Sequence, residues 1–212
     1  MKKKLILLGG GGHCKACIDV IEQSDNFEII GILDETSSIG HSVLDYLVIG
    51  ADADIPKYVG LGYSFLITIG QIKSAEIRKR LFNCLIDCKA DIATVISPRA
   101  YVSRYAEVGP GTIVMHNVTI NAAARIGTNC ILNTGCNIEH DTLIGNHVHV
   151  STFATINGNC EVGDEGFIGS NATISSQMKI SENTIIGAGT VVVKSIEEKG
   201  IYAGNPAKKI NY

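Results

Sequence analysis

Residues 101–196 read as sixteen six-residue units without a gap, from YVSRYA and EVGPGT to IIGAGT and VVVKSI. The second residue of every unit is Ile, Leu or Val, from Val102, Val108 and Val114 to Ile186 and Val192. Those three types make up 58 of the 212 residues, so sixteen hits in a row reflect a real period rather than composition. Six residues are too few for a strand and a helix but enough for a short strand and a corner. Three units then close one coil of a β-solenoid, and coils stack at about the 4.8 Å spacing of paired strands. Sixteen units make about five coils around a continuous aliphatic column. The sixth residue of each unit is mostly small (Ala106, Thr112, Cys130, Cys136, Ala154, Cys160, Ala172) and suits a second inward position. The third is rich in Gly, Asn and Ser, and is expected to carry the unusual backbone angles of the corners.

The first half has a different period. KKLILLG reads as a strand, His13 to Gln23 as a helix in which Ala16, Val20 and Ile21 are apolar, and Phe27 to Leu33 as a strand ending at Asp34. Tyr46 to Ile49 and Phe65 to Ile69 read as strands, and Ser74 to Ile86 as a helix with Ser74 as its N-cap. Strand–helix–strand order implies a small parallel α/β domain. The expected division is an α/β domain over 1–96 and a solenoid with a C-terminal cap over 97–212, joined near Pro98.

Composition narrows the function classes. The chain is 45% hydrophobic and 18% charged, with a net charge of −3 and no block of like charge. That fits a folded domain and argues against nucleic acid as the main partner. The basic N-terminus precedes an apolar run of only four residues, Leu5 to Leu8, too short for a secretory core. No run approaches the ~18 apolar residues of a membrane helix. The seven cysteines are odd in number and irregularly spaced, which disfavours a disulfide framework and, with the preceding points, implies the cytoplasm. The pair Cys14 and Cys17 falls in a helix and reads as two small core residues rather than a redox motif.

Between the first strand and helix lies Gly9-Gly10-Gly11-Gly12-His13. Backbone N–H groups there, with the helix N-terminus, can hold a phosphate. A dinucleotide G-x-G-x-x-G would need Gly where Cys14 stands, so an NAD-dependent oxidoreductase is disfavoured. Asp34 ends the second strand about twenty residues on, where an acid can bond a ribose hydroxyl.

Taken together, GGGGH, ILDE, ITIG, ILNTGCNIEHDTLIGNHVHVS and GNPAKKI resemble the bacterial NeuD/PglD-like sugar acetyltransferases. These are the sialic-acid O-acetyltransferases and UDP-4-amino-sugar N-acetyltransferases. The resemblance covers nearly the whole chain. It implies a Rossmann-like α/β N-terminal domain followed by a left-handed parallel β-helix of hexapeptide repeats, a hand that the usual right-handed crossover preference would not suggest. It also implies acetyl-CoA as co-substrate, no metal, no membrane insertion, and a homotrimer with acetyl-CoA between subunits. By the same resemblance, His140 is the general base and Asp141 the acid that raises its basicity. Asn133 and His149 are further active-site positions, His149 on the acetyl-CoA side. His13 lies near the sugar acceptor. Gly11, Gly12, Asp34, Glu35 and Gly70 contact the nucleotide sugar, and Ser170 and Ala188 line the acetyl-CoA groove.

The period adds geometry. Thr152, Ser170 and Ala188 are spaced by eighteen residues, one coil each, and should stack along one corner as a ridge for a thin pantetheine arm. His140 and Gly158 should form a similar pair at the next corner, making the Gly158 N–H a candidate donor to the thioester oxyanion. His116 falls on a different corner and reads as a surface residue. His147 and His149 offer two metal ligands without a third. Lys208 and Lys209 suit either coenzyme A phosphates or a simple cap. The leading expectation is N-acetylation of a UDP-linked 4-amino-4,6-dideoxy sugar with direct attack on the thioester. The rivals are O-acetylation of a sialic-acid-like sugar and a non-catalytic nucleotide-sugar-binding protein.

Overall fold

The computed structural model describes residues 2–210. The first half folds as β1 (Lys3–Leu8), α1 (Gly12–Glu22), β2 (Phe27–Leu33), β3 (Ser42–Val43), β4 (Tyr46–Gly50), α2 (Ile55–Gly60), β5 (Ser64–Ile67), α3 (Glu76–Asp87) and β6 (Asp91–Ile92). The sheet order is β3-β4-β2-β1-β5-β6, parallel except for the β3–β4 hairpin. β1 is central and covered on both faces, which is why its apolar run does not alternate. Leu5 and Leu7 face Cys14, Cys17 and Ile18 of α1, in a core cluster that continues into the solenoid. Ile6 and Leu8 face Leu81, Phe82 and Leu85 of α3. The helix α1 buries Cys14, Cys17, Ile18, Val20 and Ile21, whereas the apolar Ala16 lies on the solvent side.

The second half is the solenoid that the period implied. Two-residue strands recur every six residues from Val95–Ile96 onward and pair in parallel with the strand eighteen residues later, in three sheets. The first rung therefore begins at Val95, just before the expected boundary at residues 96 and 97. One face holds Val95, Ile113, Ile131, His149, Phe167 and Ile185; the next holds Tyr101, Thr119, Asn137, Thr155 and Thr173. The second-position column is buried from Val114 to Val192, and Cys130, Cys136, Ala154, Cys160 and Ala172 at the sixth position are fully buried. The antiparallel pair Ile201–Ala203 and Lys208–Ile210 closes the C-terminal end.

The corner residues differ from expectation. The left-handed conformation falls at the fifth position, not the third, from Gly111 and Asn117 to Asn183 and Gly189. The third-position glycines serve close stacking instead: a Cβ on Gly127 would stand 2.5 Å from Gly145 O of the next coil, and one on Gly163 2.5 Å from Glu182 N. Among the described residues no helix is long and apolar enough to cross a membrane.

Candidate active site

The two halves meet along a cleft of about 1330 Å³. One wall is the β1–α1 loop with Asp34 and Glu35; the other is the first solenoid face and its corner. Gly11, Gly12, His13, Asp34, Glu35, Gly70, Asn133, His149 and Ser170 all line it. Gly9 has φ +101° and packs where a Cβ would stand 2.2 Å from the Ile69 side chain, so the loop can turn here only with glycine. Thr68 fixes the loop from below, its hydroxyl donating to Gly9 O at 2.6 Å. The Asp34 carboxylate accepts the N–H groups of Gly10 (2.9 Å) and Glu35 (2.8 Å). The Gly10 amide is thereby taken, and the free amides at the start of α1 are what remains for an anion.

Two histidines stand across the cleft with ring centroids 6.5 Å apart. His149 Nδ1–H donates to Gln71 O at 2.5 Å, and its Nε2 accepts the Asn133 amide at 3.2 Å. Burial, then the nearby Arg78 guanidinium, hold this ring down to about 4, with the Gln71 carbonyl opposing. His13 Nε2 is buried without a partner. Burial, Arg78 and His149 push His13 down to about 3. Both rings are therefore neutral at physiological pH. Asn133 also accepts Thr134 N–H at 2.8 Å, so it shapes its turn and orients His149 together.

His140 does not line this cleft. It stands on the next corner, its side chain 60% exposed, with Nδ1–H donating to the Asp141 carboxylate at 2.8 Å. Asp141 has φ +60°, and this left-handed turn carries its short side chain back to the ring. The imidazole lies against Gly158 one coil on: a Cβ there would stand 2.6 Å from Nε2. Beside it, Glu139 accepts the amides of Asn137 (3.0 Å) and Asn121 (2.8 Å), which hold its carboxyl below the usual range. Thr152, Ser170 and Ala188 stack on the cleft-side corner through Asn171 N–H to Thr152 O (3.0 Å) and Gly189 N–H to Ser170 O (2.8 Å).

Several site residues carried no signal in the sequence. Arg78 is fully buried and donates to Ile67 O, Ile69 O and both the carbonyl and side-chain oxygens of Asn129, tying α3 and the β5 loop to a solenoid corner. Gln71 makes a second tie, donating to His147 O at 2.8 Å. His116, read as a surface residue, is instead a third: it bonds Ser97 Oγ at 2.6 Å and Asp19 Oδ2 of α1 at 2.8 Å. Lys209 bonds Glu198 at 2.5 Å within the C-terminal cap. The cysteine pair is confirmed as core: Cys14 and Cys17 are fully buried free thiols, and burial pushes Cys14 up to about 11.

Residues 4–85 match the family described as PglD N-terminal domain. Residues 141–176 match the bacterial transferase hexapeptide repeats, and residues 81–153 the GlmU-like C-terminal hexapeptide. Among solved structures, PerB from Caulobacter crescentus, determined with CoA and GDP-perosamine, is 30% identical over 98% of this chain and 97% of its own, with a TM-score of 0.91. The acetyltransferase domain of PglB from Neisseria gonorrhoeae is 28% identical over 99% and 100%, with a TM-score of 0.90. WeeI from Acinetobacter baumannii shares the fold at 22% identity over 99% and 100%, with a TM-score of 0.87.

Proposed function

The chain belongs to the NeuD/PglD-like sugar acetyltransferases, which are acetyl-CoA-dependent acyltransferases, and from that premise we propose that it N-acetylates the 4-amino group of a nucleotide-linked 4-amino-4,6-dideoxy sugar, the UDP-linked form being the first candidate. The reading is supported above all by His140, an exposed imidazole whose Nδ1–H is held by Asp141 at 2.8 Å. That bond leaves the Nε2 lone pair as the free base. The amine nitrogen attacks the thioester carbonyl while Nε2 takes its proton. The C–N bond forms, the C–S bond breaks, and the proton passes to the departing thiolate. The Gly158 N–H is the proposed donor to the oxyanion. The solenoid cysteines Cys130, Cys136 and Cys160 are fully buried, so a covalent acyl-enzyme through sulfur has no accessible nucleophile among them.

The cleft supports the acceptor. Gly11, Gly12, Asp34, Glu35 and Gly70, which line it, are the proposed nucleotide end, and His13 and Asn133 the proposed sugar end. The column Thr152, Ser170 and Ala188, with His149 beside it, is the proposed seat of acetyl-CoA. The His140 corner and the cleft lie on different corners of one coil, so a complete site is proposed to need the cleft of one subunit and the His140 corner of the next, in a homotrimer.

The test is coenzyme A release over UDP- and GDP-linked 4-amino sugars and free nonulosonates. Base removal typically costs 10²–10⁴-fold, so His140→Ala is expected to lower kcat by about that factor. Turnover of a nonulosonate hydroxyl alone would establish O-acetylation. Unchanged turnover in His140→Ala would remove the proposed base.

A further inference from the structure

Phe153 is out of place in its column. It has φ +55°, in a conformation costly for a bulky residue, and the residue is 57% exposed. The side chain turns back along the corner to the coil below and covers Gly135: a Cβ on that glycine would stand 2.3 Å from Cε1 and 2.6 Å from Cδ1 of the ring. The Phe153 N–H bonds Thr134 O at 3.0 Å, which locks the residue over that turn.

Thr134 continues the ridge of Thr152, Ser170 and Ala188 one coil further down. The ring covers the turn beside this lower end of the ridge. The same turn carries Asn133, which orients His149 at 3.2 Å. Gly135 and His140 belong to one coil and Phe153 and Gly158 to the next, so in a ring of three copies with their coils level the ring stands at the height of the proposed base and oxyanion donor of the neighbouring subunit.

We propose that the Phe153 ring is an end-stop that restricts the transferred acyl group to about the length of acetyl. The inference rests on the acetyltransferase reading and deepens it. A pocket that rejects an extra methylene discriminates by roughly 10–200-fold.

The experiment compares kcat/KM for acetyl-, propionyl- and butyryl-CoA in the wild type, Phe153→Gly and Phe153→Leu. Glycine suits the left-handed backbone and favours a folded variant. Phe153→Gly is expected to raise the butyryl-to-acetyl ratio at least tenfold, while Phe153→Leu, which keeps most of the bulk, stays within about threefold of wild type. A ratio unmoved in Phe153→Gly overturns the end-stop. So does a wild type that already uses butyryl-CoA as well as acetyl-CoA, or a Phe153→Gly chain that transfers no acyl group. A wild type inactive with every acyl-CoA overturns the acetyltransferase reading itself, a result distinct from all three.

Discussion

The His140 ring depends on the absence of one carbon. Its Nε2 lies 2.6 Å from where a Cβ on Gly158 would stand. Gly158→Ala would drive the ring off this corner and away from the carboxylate that fixes its tautomer. A displacement of about 1 Å can cost 10²-fold in rate. Gly158→Ala is thus expected to lower kcat by about that factor while its thermal melt stays within a few degrees of wild type. The cleft histidines act differently, through stability. In the unfolded chain each binds its proton near 6.5; folded, His149 does so only near 4 and His13 near 3. Between these values the unfolded state holds more protons, so stability is full above about pH 6.5 and is lost as pH falls toward 4. At 1.36 kcal/mol per unit, His149 alone accounts for about 3 kcal/mol across that window. Urea melts at pH 7 and pH 4.5 should show the loss, and a His13→Asn, His149→Asn double variant should show much less of it. An equal pH dependence in that variant would place the proton uptake elsewhere.

At the level of the elements, each hexad turns its corner at the fifth residue. Asn and Gly fill this position at eight sites from Gly111 to Gly189, and Ala123, Glu165 and Gln177 are among the residues that hold φ near +60° without that advantage. The left-handed state costs roughly 1–2 kcal/mol for an L residue, partly offset by the backbone entropy a glycine loses on folding. Ala123→Gly is accordingly expected to stabilise the chain by about 0.5–1 kcal/mol, seen as a higher urea midpoint at constant slope; a lower midpoint would mean the Ala123 methyl makes contacts worth more than the strain. The same corner explains what the sequence could and could not reveal. The inward columns were legible because the period of an unbranched coil is written locally, in Val102 through Val192. The turn position was misread because glycine is also abundant at the third residue. There Gly127 and Gly163 admit the next coil rather than a positive φ. The β1–α1 loop and Asp34 were legible because strand, glycines and acid follow one another within one βαβ unit. Arg78, Gln71 and the His116 tie were not, since each acts on a partner about 50 to 100 residues away and leaves no local pattern.

At the scale of the whole molecule, the His140 corner and the cleft are separated within one coil. His140 and Gly158 follow the sheet that starts at Tyr101, whereas Asn133, Ser170 and Ala188 precede it. This middle sheet carries Thr119, Asn137, Thr155 and Thr173 outward, a polar face flanked by the two halves of the proposed site. A ring of three copies in which each subunit sets its His140 corner against the neighbour's cleft satisfies both halves at once, and such a head-to-tail contact closes without leaving an open end. The arrangement makes a prediction that a site contained in one chain cannot meet. His140→Ala lacks the base but keeps its cleft; Ser170→Tyr keeps the base but blocks the proposed acetyl-CoA ridge. Each alone should be inactive. Coexpressed in equal amounts, random trimers would place an intact corner against an intact cleft at about a quarter of the interfaces. Coenzyme A release by the mixture should therefore recover to about a quarter of the wild-type rate. Light scattering should give the mass of three chains for each preparation. If the mixture stays as inactive as its parents while remaining trimeric, the cleft and the base belong to the same subunit. The chain would then have to bring them together by a movement of its α/β domain over the solenoid.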